Sequence, residues 1–564
     1  MSFTQAYIQI THAIAARHYS ELAKISVEKP VHFNWVTDIL ERHYIPLYKN
    51  NKALIWKSHD QEEIYSYGEL LEISNRLLNF LQRHGVKQGD IVYVQLPVVP
   101  QNWITYIACI KGGLVLVPAA PILSVKDIEY RFLHNRPAVI ISDTENCVRI
   151  DAALSSPDQP KTLKILTDGE RYGWHPWLSV QKSGTDCEAA ETKPDDLLFL
   201  FFTSGTTGMP KVVSHTHISY PFGHLTTAAW IGLQPGDIHF NIAQPGWAKF
   251  AWSSFFAPLS MGATVFVYQQ AGKMDASLLL SVIEQYKVTT FCAPPTALRM
   301  LVLEHLAAFR FAFRECVSAG EPLNPEVIEA WKKGTGILIR DGYGQTETTL
   351  LAGNLPGEPV KFGSMGKPMF IYEMDIVDED GKPLPIDEEG HIGVKVNGRR
   401  LNGIFKEYAG APEKKNELVR NGFYLTGDKA YKDADGYFWF VGRDDDVIKS
   451  SDYRIGPFEV ESVLLEHEAV IESAVVGSPH AIKGNLVKAF IVLRNDLEGT
   501  EALAGEIYLY CRKNLAIYKI PRILEFVREL PKTVSGKIRR VELRSAEAMN
   551  KARGIKGEQE FIFQ

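Results

Sequence analysis

The chain has 564 residues, a formal charge of −6, and 45% hydrophobic and 23% charged residues, an ordinary globular composition too long for one core at about 150 residues per domain. The acidic balance argues against a dedicated nucleic-acid binder, and no apolar run reaches the roughly 20 residues of a membrane span. The six cysteines are scattered without a Cys-x-x-Cys pair, which suits a reducing compartment and excludes an obvious zinc site.

At the N-terminus only Arg17 is basic within the first helix-sized stretch, a poor secretory signal. A cytoplasmic location is expected, with a mitochondrial matrix left open. Leu70 to His84 carries apolar residues at helical spacing, and Ile91 to Leu96 and Leu114 to Val117 read as strands. Leu197 to Phe202 is a short apolar run that reads as a buried strand. Ala263 to Tyr268, a helix over Leu278 to Tyr286, and Val288 to Cys292 continue the alternation. Such alternation predicts an α/β fold with largely parallel sheets. Near residue 370 the texture changes. Tyr372 to Val377 and Ile392 to Val396, with an Asp380-Gly381 turn signal between them, predict an antiparallel β subdomain. From about 445 a small α+β domain is expected: a helix opened by Pro457, then strands at Ser473 to Val476, Val487 to Leu493 and Ile523 to Val527. The last ten residues are polar and charged and read as a loose tail.

Five segments carry candidate chemistry. Thr203 to Lys211 (TSGTTGMPK) follows an apolar strand and offers Gly205 and Gly208 for close backbone approach, hydroxyls from Ser204, Thr206 and Thr207, and the Lys211 cation. Successive N–H groups in such a turn make an anion site; read alone, the segment equally fits a polar surface turn. It is not a Walker A loop, because Met209-Pro210 separates Gly208 from Lys211. Tyr343 to Glu347 (YGQTE) follows a strand at Ile337 to Ile339, where open α/β sheets bind ligands. Glu347 suits a Mg²⁺ that bridges phosphates; a solvated turn is the other reading. Asp428, in Tyr424 to Asp428, offers one carboxylate for two ribose hydroxyls, or is an ordinary turn residue. Gly442 to Lys449 packs three aspartates at the suspected boundary, as a hinge or as a solvated charge run. Pro531 to Arg540 (PKTVSGKIRR) presents Lys537 beside a Ser535-Gly536 turn, to an anionic centre or to solvent.

These five segments, in this order, closely resemble the signature motifs of the adenylate-forming superfamily over roughly residues 30 to 545. Gln244 to Lys249 (QPGWAK), Ser318 to Leu323 (SAGEPL) and Tyr453 to Pro457 (YRIGP) look most like medium-chain acyl-CoA synthetases. The resemblance implies a large N-terminal domain of two α/β sheets plus a β subdomain (1–444) and a small, mobile α+β C-terminal lid (445–564). It implies that a carboxylate attacks the α-phosphate of ATP, and that coenzyme A then takes the acyl group from acyl-AMP. On these positions, Thr203 to Gly208 and Lys211 would hold the β- and γ-phosphates. Thr346 and Glu347 would hold Mg²⁺ and act in catalysis with Lys537. Asp428 and Arg443 would bind the ribose. Gly320, Glu321 and Pro322, with Asp341, Gly342, Tyr343, Gly344 and Gln345, would line the nucleotide slot, and Asp445 would be the pivot.

Gly344 stands where acetyl-CoA synthetases carry a tryptophan, so an acyl pocket lined by Gly246, Trp247 and Gly344 is expected to admit longer chains. No aspartate in Trp247 to Phe256 awaits an amino-acid ammonium. A medium-chain, branched-chain or aryl acid is therefore expected, with a short-chain acid or transfer to a carrier protein as alternatives. Each methylene discriminates by only about 1–3 kcal/mol, so the sequence sets no chain length. The pantetheine loop is read at Ser451, Asp452, Tyr453 and Arg454; Asp452 replaces the glycine common in relatives, which bears on the thioester step. Oligomeric state is left open.

Overall fold

A computed structural model describes residues 1–564 apart from 155–161, 204–209, 271, 273, 397–400, 452, 481, 482, 495, 534–536 and 564. Two large sheets organise the N-terminal part. In the first, strands Lys52–Lys57, Thr264–Tyr268, Ile238–Asn241, Thr290–Cys292, Glu315–Ala319 and Ile339–Gln345 run parallel, with antiparallel strands at both edges. In the second, Leu197–Thr203, Val115–Ala119, Ile91–Gln95, Val139–Ser142 and Leu163–Leu166 are parallel. Their continuous apolar runs follow from burial on both faces. Helix Ser219–Ile231 is buried along its whole length, as expected of a helix held within a core.

Local signals set the boundaries. Helix Tyr67–Arg83 starts in a capping box, where the Glu69 backbone N–H donates to Ser66 Oγ at 3.2 Å and Glu69 Oε2 accepts from the Ser66 N–H at 2.8 Å. Loss of such a cap costs about 1 kcal/mol. Its Leu70, Leu77, Leu78 and Leu81 face the core.

The β subdomain pairs Met374–Val377, Gly390–Lys395, Phe423–Lys432 and Phe438–Arg443 antiparallel. The small domain carries a sheet of Val470–His480, Gly484–Leu493, Ile523–Phe526 and Glu560–Ile562, covered by helices Pro457–Leu465, Glu501–Asn514 and Arg540–Arg553.

Three expectations change. The strand read at Ile337 to Ile339 is Ile339–Gln345, so Tyr343, Gly344 and Gln345 lie within it, paired with Thr349–Gly353. The strand read from Val288 begins at Thr290. The C-terminal stretch is not a loose tail. Glu560–Ile562 pairs with Ile523–Phe526, Phe563 stacks on Tyr508 at 4.3 Å, and Glu560 is buried against Lys488. Aromatic residues between the charges give this strand an apolar face that composition alone hides.

Candidate active site

Strand pairing in the β subdomain puts Asp428 directly opposite Arg443. Asp428 is buried, and its Oδ2 accepts from the Tyr343 hydroxyl at 2.6 Å and from Gln345 Nε2 at 2.7 Å. Its Oδ1 faces Arg443 Nε at 3.7 Å. Burial pushes the carboxyl above its usual range, against the pull of Arg443, Tyr343 and Gln345. Two donors hold one oxygen and leave the other turned to the guanidinium. Such a carboxylate is pre-oriented to accept from a diol.

A second cluster forms on the other side of Gln345. The Tyr408 hydroxyl donates to Glu347 Oε1 at 3.1 Å, and Lys211 Nζ lies 5.1 Å from the Tyr408 ring centre. Burial raises the Glu347 carboxyl; Tyr408, Lys211 and Arg443 oppose it. His215, held neutral by burial with its value lowered to about 3, donates from Nε2 to the Thr346 carbonyl at 2.6 Å. Lys211 pairs with Thr203, where the antiparallel strands Leu197–Thr203 and Lys211–Thr216 meet. Ser204, Gly205, Thr206, Thr207 and Gly208 lie outside the described residues.

Asp341 joins the walls of the nucleotide slot. Its carboxylate accepts from the Gly342 N–H at 2.8 Å and the Leu323 N–H at 3.3 Å, so it ties the loop after Gly320 to strand Ile339–Gln345. Burial raises it to about 7. Gly320 has φ +110°, which favours glycine, and Glu321 lies 3.7 Å from Arg299.

Lys537 reaches this cleft from the small domain. It retains solvent access but is hemmed in by protein: lost hydration, Arg443 and Lys249 lower its ammonium, while Glu321 and Asp428 raise it. The Thr533 N–H donates to the Lys537 carbonyl at 2.7 Å. Asn324 Nδ2 donates to Ser462 Oγ at 3.0 Å across the domain contact.

Other expected residues stand apart. Tyr453 stacks on Tyr518 at 4.4 Å, Ser451 has φ +52°, and Arg454 lines a cavity of about 330 Å³ with Glu389, His391 and Lys429. That cavity shares no residue with the nucleotide cluster, and Asp452 lies outside the described residues. The aspartate run is exposed at Asp444 and Asp445, and each of its members also has a cationic partner. Asp444 pairs with Lys429 at 2.8 Å, Asp445 with Arg544 at 3.7 Å, and Asp446 with the same arginine. Gly246, at φ +89°, presses on the Ala119-Ala120 backbone, and Trp247 packs against the apolar cluster that includes Phe202 and Val212. A side chain at Gly344 would strike the Thr349 carbonyl across a strand irregularity. That contact alone requires glycine there, whatever the acyl chain. Sequence reasoning missed Tyr408, His215 and Lys249; only the QPGWAK resemblance touched one of them.

Two parallel sheets, an antiparallel subdomain and a lysine carried in from a small domain define a nucleotide-dependent ligase of the adenylate-forming class. Residues 43–408 match the AMP-binding enzyme family and residues 459–537 its C-terminal domain, and the chain belongs to that family. It is 47% identical to 4-hydroxybutyrate–CoA ligase 1 of Metallosphaera sedula, over 100% of this chain and 99% of that protein. It is 42% identical to the mitochondrial acyl-coenzyme A synthetase ACSM3 of Mus musculus, over 92% of each chain. The crystal structure of the anthranilate CoA ligase AuaEII with anthranoyl-AMP superposes with a TM-score of 0.84 at 32% identity, covering 93% of this chain and 99% of that one. The chain is an AMP-forming acyl-CoA synthetase, with a carboxylic acid, ATP and coenzyme A as substrates. No helix among the described residues is long and apolar enough to cross a membrane.

Proposed function

We propose that this enzyme activates a medium-chain, branched-chain or aryl carboxylic acid, with the two-domain boundary at 444/445 and Asp445 as pivot. The observation that supports the site assignment is the buried Asp428, held by Tyr343 and Gln345 and facing Arg443, a group whose charges with that of Glu321 act on Lys537. A carboxylate oxygen bonds to the α-phosphorus, the bond to the bridging oxygen breaks, and pyrophosphate leaves with the electron pair. Both reactants are anions, so fixed cations at their meeting point lower the barrier. Lys537 supplies one; Asp428 and Arg443 hold the ribose; Lys211 serves the leaving phosphates. The thiolate of coenzyme A then attacks the acyl carbonyl and AMP departs, after a lid rotation that brings Tyr453 and Arg454 forward.

Mg²⁺ fits at Glu347 and Thr346. Glu347 is a single hard carboxylate set by Tyr408, raised by burial in a way that a cation would reverse. When bound, the ion would neutralise phosphate charge. A reducing compartment, the cytoplasm in the first instance, suits the six unpaired thiols.

The aryl and alkyl readings draw on the ACSM3 and AuaEII likenesses. The 47% identity to the Metallosphaera sedula protein favours a second reading, a short hydroxy acid. Pyrophosphate release and product mass measured over a panel from acetate to dodecanoate, with branched, aromatic and 4-hydroxy acids, separate them. Pyrophosphate without acyl-CoA would overturn the thioester step, and no pyrophosphate from any acid would overturn the whole reading.

A further inference from the structure

Lys249 lies on the short helix Ala248–Ala251, directly after Trp247. Its neighbours fix this segment in the core. The Tyr220 hydroxyl donates to the Ala248 carbonyl at 3.1 Å, Trp103 Nε1 donates to the Ser254 carbonyl at 2.7 Å, and Asn241 Nδ2 donates to Ser254 Oγ at 2.9 Å. From this rigid base, half-buried Lys249 extends Nζ to the Ala319 carbonyl at 2.7 Å. Ala319 ends strand Glu315–Ala319 and precedes the nucleotide loop that begins at Gly320. The ammonium has three donors, and this contact occupies one.

Among the described residues no carboxylate forms an ion pair with Lys249. Its charge nevertheless reaches two site groups on separate elements: it stabilises ionised Asp341 and disfavours protonated Lys537. Among the described residues the one hydrogen bond of the Lys249 ammonium goes to the Ala319 carbonyl, which joins the acyl-side loop to the nucleotide loop.

We infer that Lys249 is a positioning residue for acid activation, tethering the Gly246-Trp247 loop to Ala319 at the start of the Gly320 loop. The inference rests on the adenylating reading above. The groups facing Lys537 are Glu321, Arg443, Lys249 and Asp428. Removing the Lys249 cation therefore lets Lys537 keep its proton to higher pH. The alkaline limb of the adenylation profile moves up.

Pyrophosphate release as a function of acid concentration and pH, with ATP affinity by calorimetry, tests this on the full chain. Lys249→Met is expected to lower kcat/KM for the acid about tenfold or more, the order of a small misplacement near the reacting atoms. ATP affinity stays within about threefold of wild type, the alkaline limb shifts upward, and Lys249→Arg restores most of the rate. Lys249→Gln keeps a donor for Ala319 without the charge, and is expected to recover acid KM but retain the shifted limb. If Lys249→Met does not fold, the glutamine variant alone decides the question by its KM for the acid. A glutamine variant whose KM for the acid rises about tenfold despite its donor for Ala319 overturns the inference. So does a Lys249→Met enzyme with unchanged kcat/KM for the acid, or one that loses acid and ATP affinity in parallel without rescue by arginine. A wild-type enzyme that releases no pyrophosphate with any acid rejects the adenylating reading instead.

Discussion

Two lysines of the small domain, Lys488 and Lys537, meet opposite surroundings. Lys488 is fully buried and contacts Glu525, Glu547 and Glu560 at 2.7, 2.6 and 2.6 Å. Those three carboxylates are close enough together to hold a metal ion, but the ammonium already occupies their centre. Burial pushes Lys488 down, the three carboxylate hydrogen bonds outweigh it, and its proton is held above the usual lysine value. Lys537 keeps access to solvent, forms no ion pair among the described residues, and is lowered by lost hydration and neighbouring cations. A satisfied cation holds a domain together. A cation facing an open cleft is available to a substrate.

The sharpest break of this contrast is Lys488→Met. It removes the cation shared by Glu525, Glu547 and Glu560, leaving Lys551 beside Glu547 and Glu560 and no cation on Glu525 among the described residues, and loss of one partner of a buried pair costs about 3–5 kcal/mol. Thermal unfolding and hydrogen exchange over 457–562 should show the small domain loosened first. Lys537→Ala should do the reverse. The fold stays intact and ATP still binds, while adenylation falls about 10²–10³-fold, the loss typical of one transition-state donor. Wild-type adenylation by this variant would sink the assignment. Asp428→Asn should sit between them. The amide cannot both accept from Tyr343 and Gln345 and present a charge to Arg443, so KM for ATP should rise by about tenfold, near 1–3 kcal/mol for a spoiled buried contact. The melting temperature should change little.

The two lysines also separate with pH. Lys488 is raised in the folded state, so its stabilisation is fully present below the unfolded lysine value, about 10.4. It is lost as pH climbs through the folded one. For Glu560, burial raises the carboxyl and the Lys488 bond more than reverses it, leaving it lowered. Its contribution is present above the unfolded value of about 4.3 and lost as pH falls through the folded value. Unfolding measured from acid to alkali should therefore show a plateau bounded by these two losses. Lys488→Met should flatten the alkaline edge. Lys537→Ala should leave the acid edge in place and alter the activity profile.

The contrast also explains what the sequence could carry. Lys537 was legible because Ser535-Gly536 and the other four segments form an ordered set, and loops that handle phosphate leave a trace in small residues and charge. Lys488 stands in an apolar strand with no marker, and its three partners come from separate elements. Nothing short of the fold brings them together. The C-terminal strand was hidden for the same reason, since Glu560 and Phe563 gain meaning only beside Lys488 and Tyr508. Tyr408, His215 and Lys249 make contacts to residues distant in the chain that leave no spacing pattern. Gly344 was legible as a glycine, and in the structure a side chain there would also strike the Thr349 carbonyl in the paired strand.

The smallest effect is expected at the joint between the two domains, where the comparison is finest. Arg544 reaches Asp445 and Asp446, and Lys429 reaches Asp444, so the aspartate run is held from both sides in this orientation. These pairs are partly exposed, and such contacts contribute about 0–1 kcal/mol each. Arg544→Ala should therefore shift the balance of lid orientations by about fivefold at most and leave the melting temperature nearly unchanged. Adenylation depends on Lys537 in the cleft, so weakening its hold should slow pyrophosphate release slightly. The thioester half-reaction, started from supplied acyl-AMP and coenzyme A, should gain by a similar factor. Equal slowing of both half-reactions would mean that Arg544 belongs with Lys488, as a residue that only holds the small domain together. Opposite changes would place it with Lys537, in the machinery that presents the lysine to the substrate.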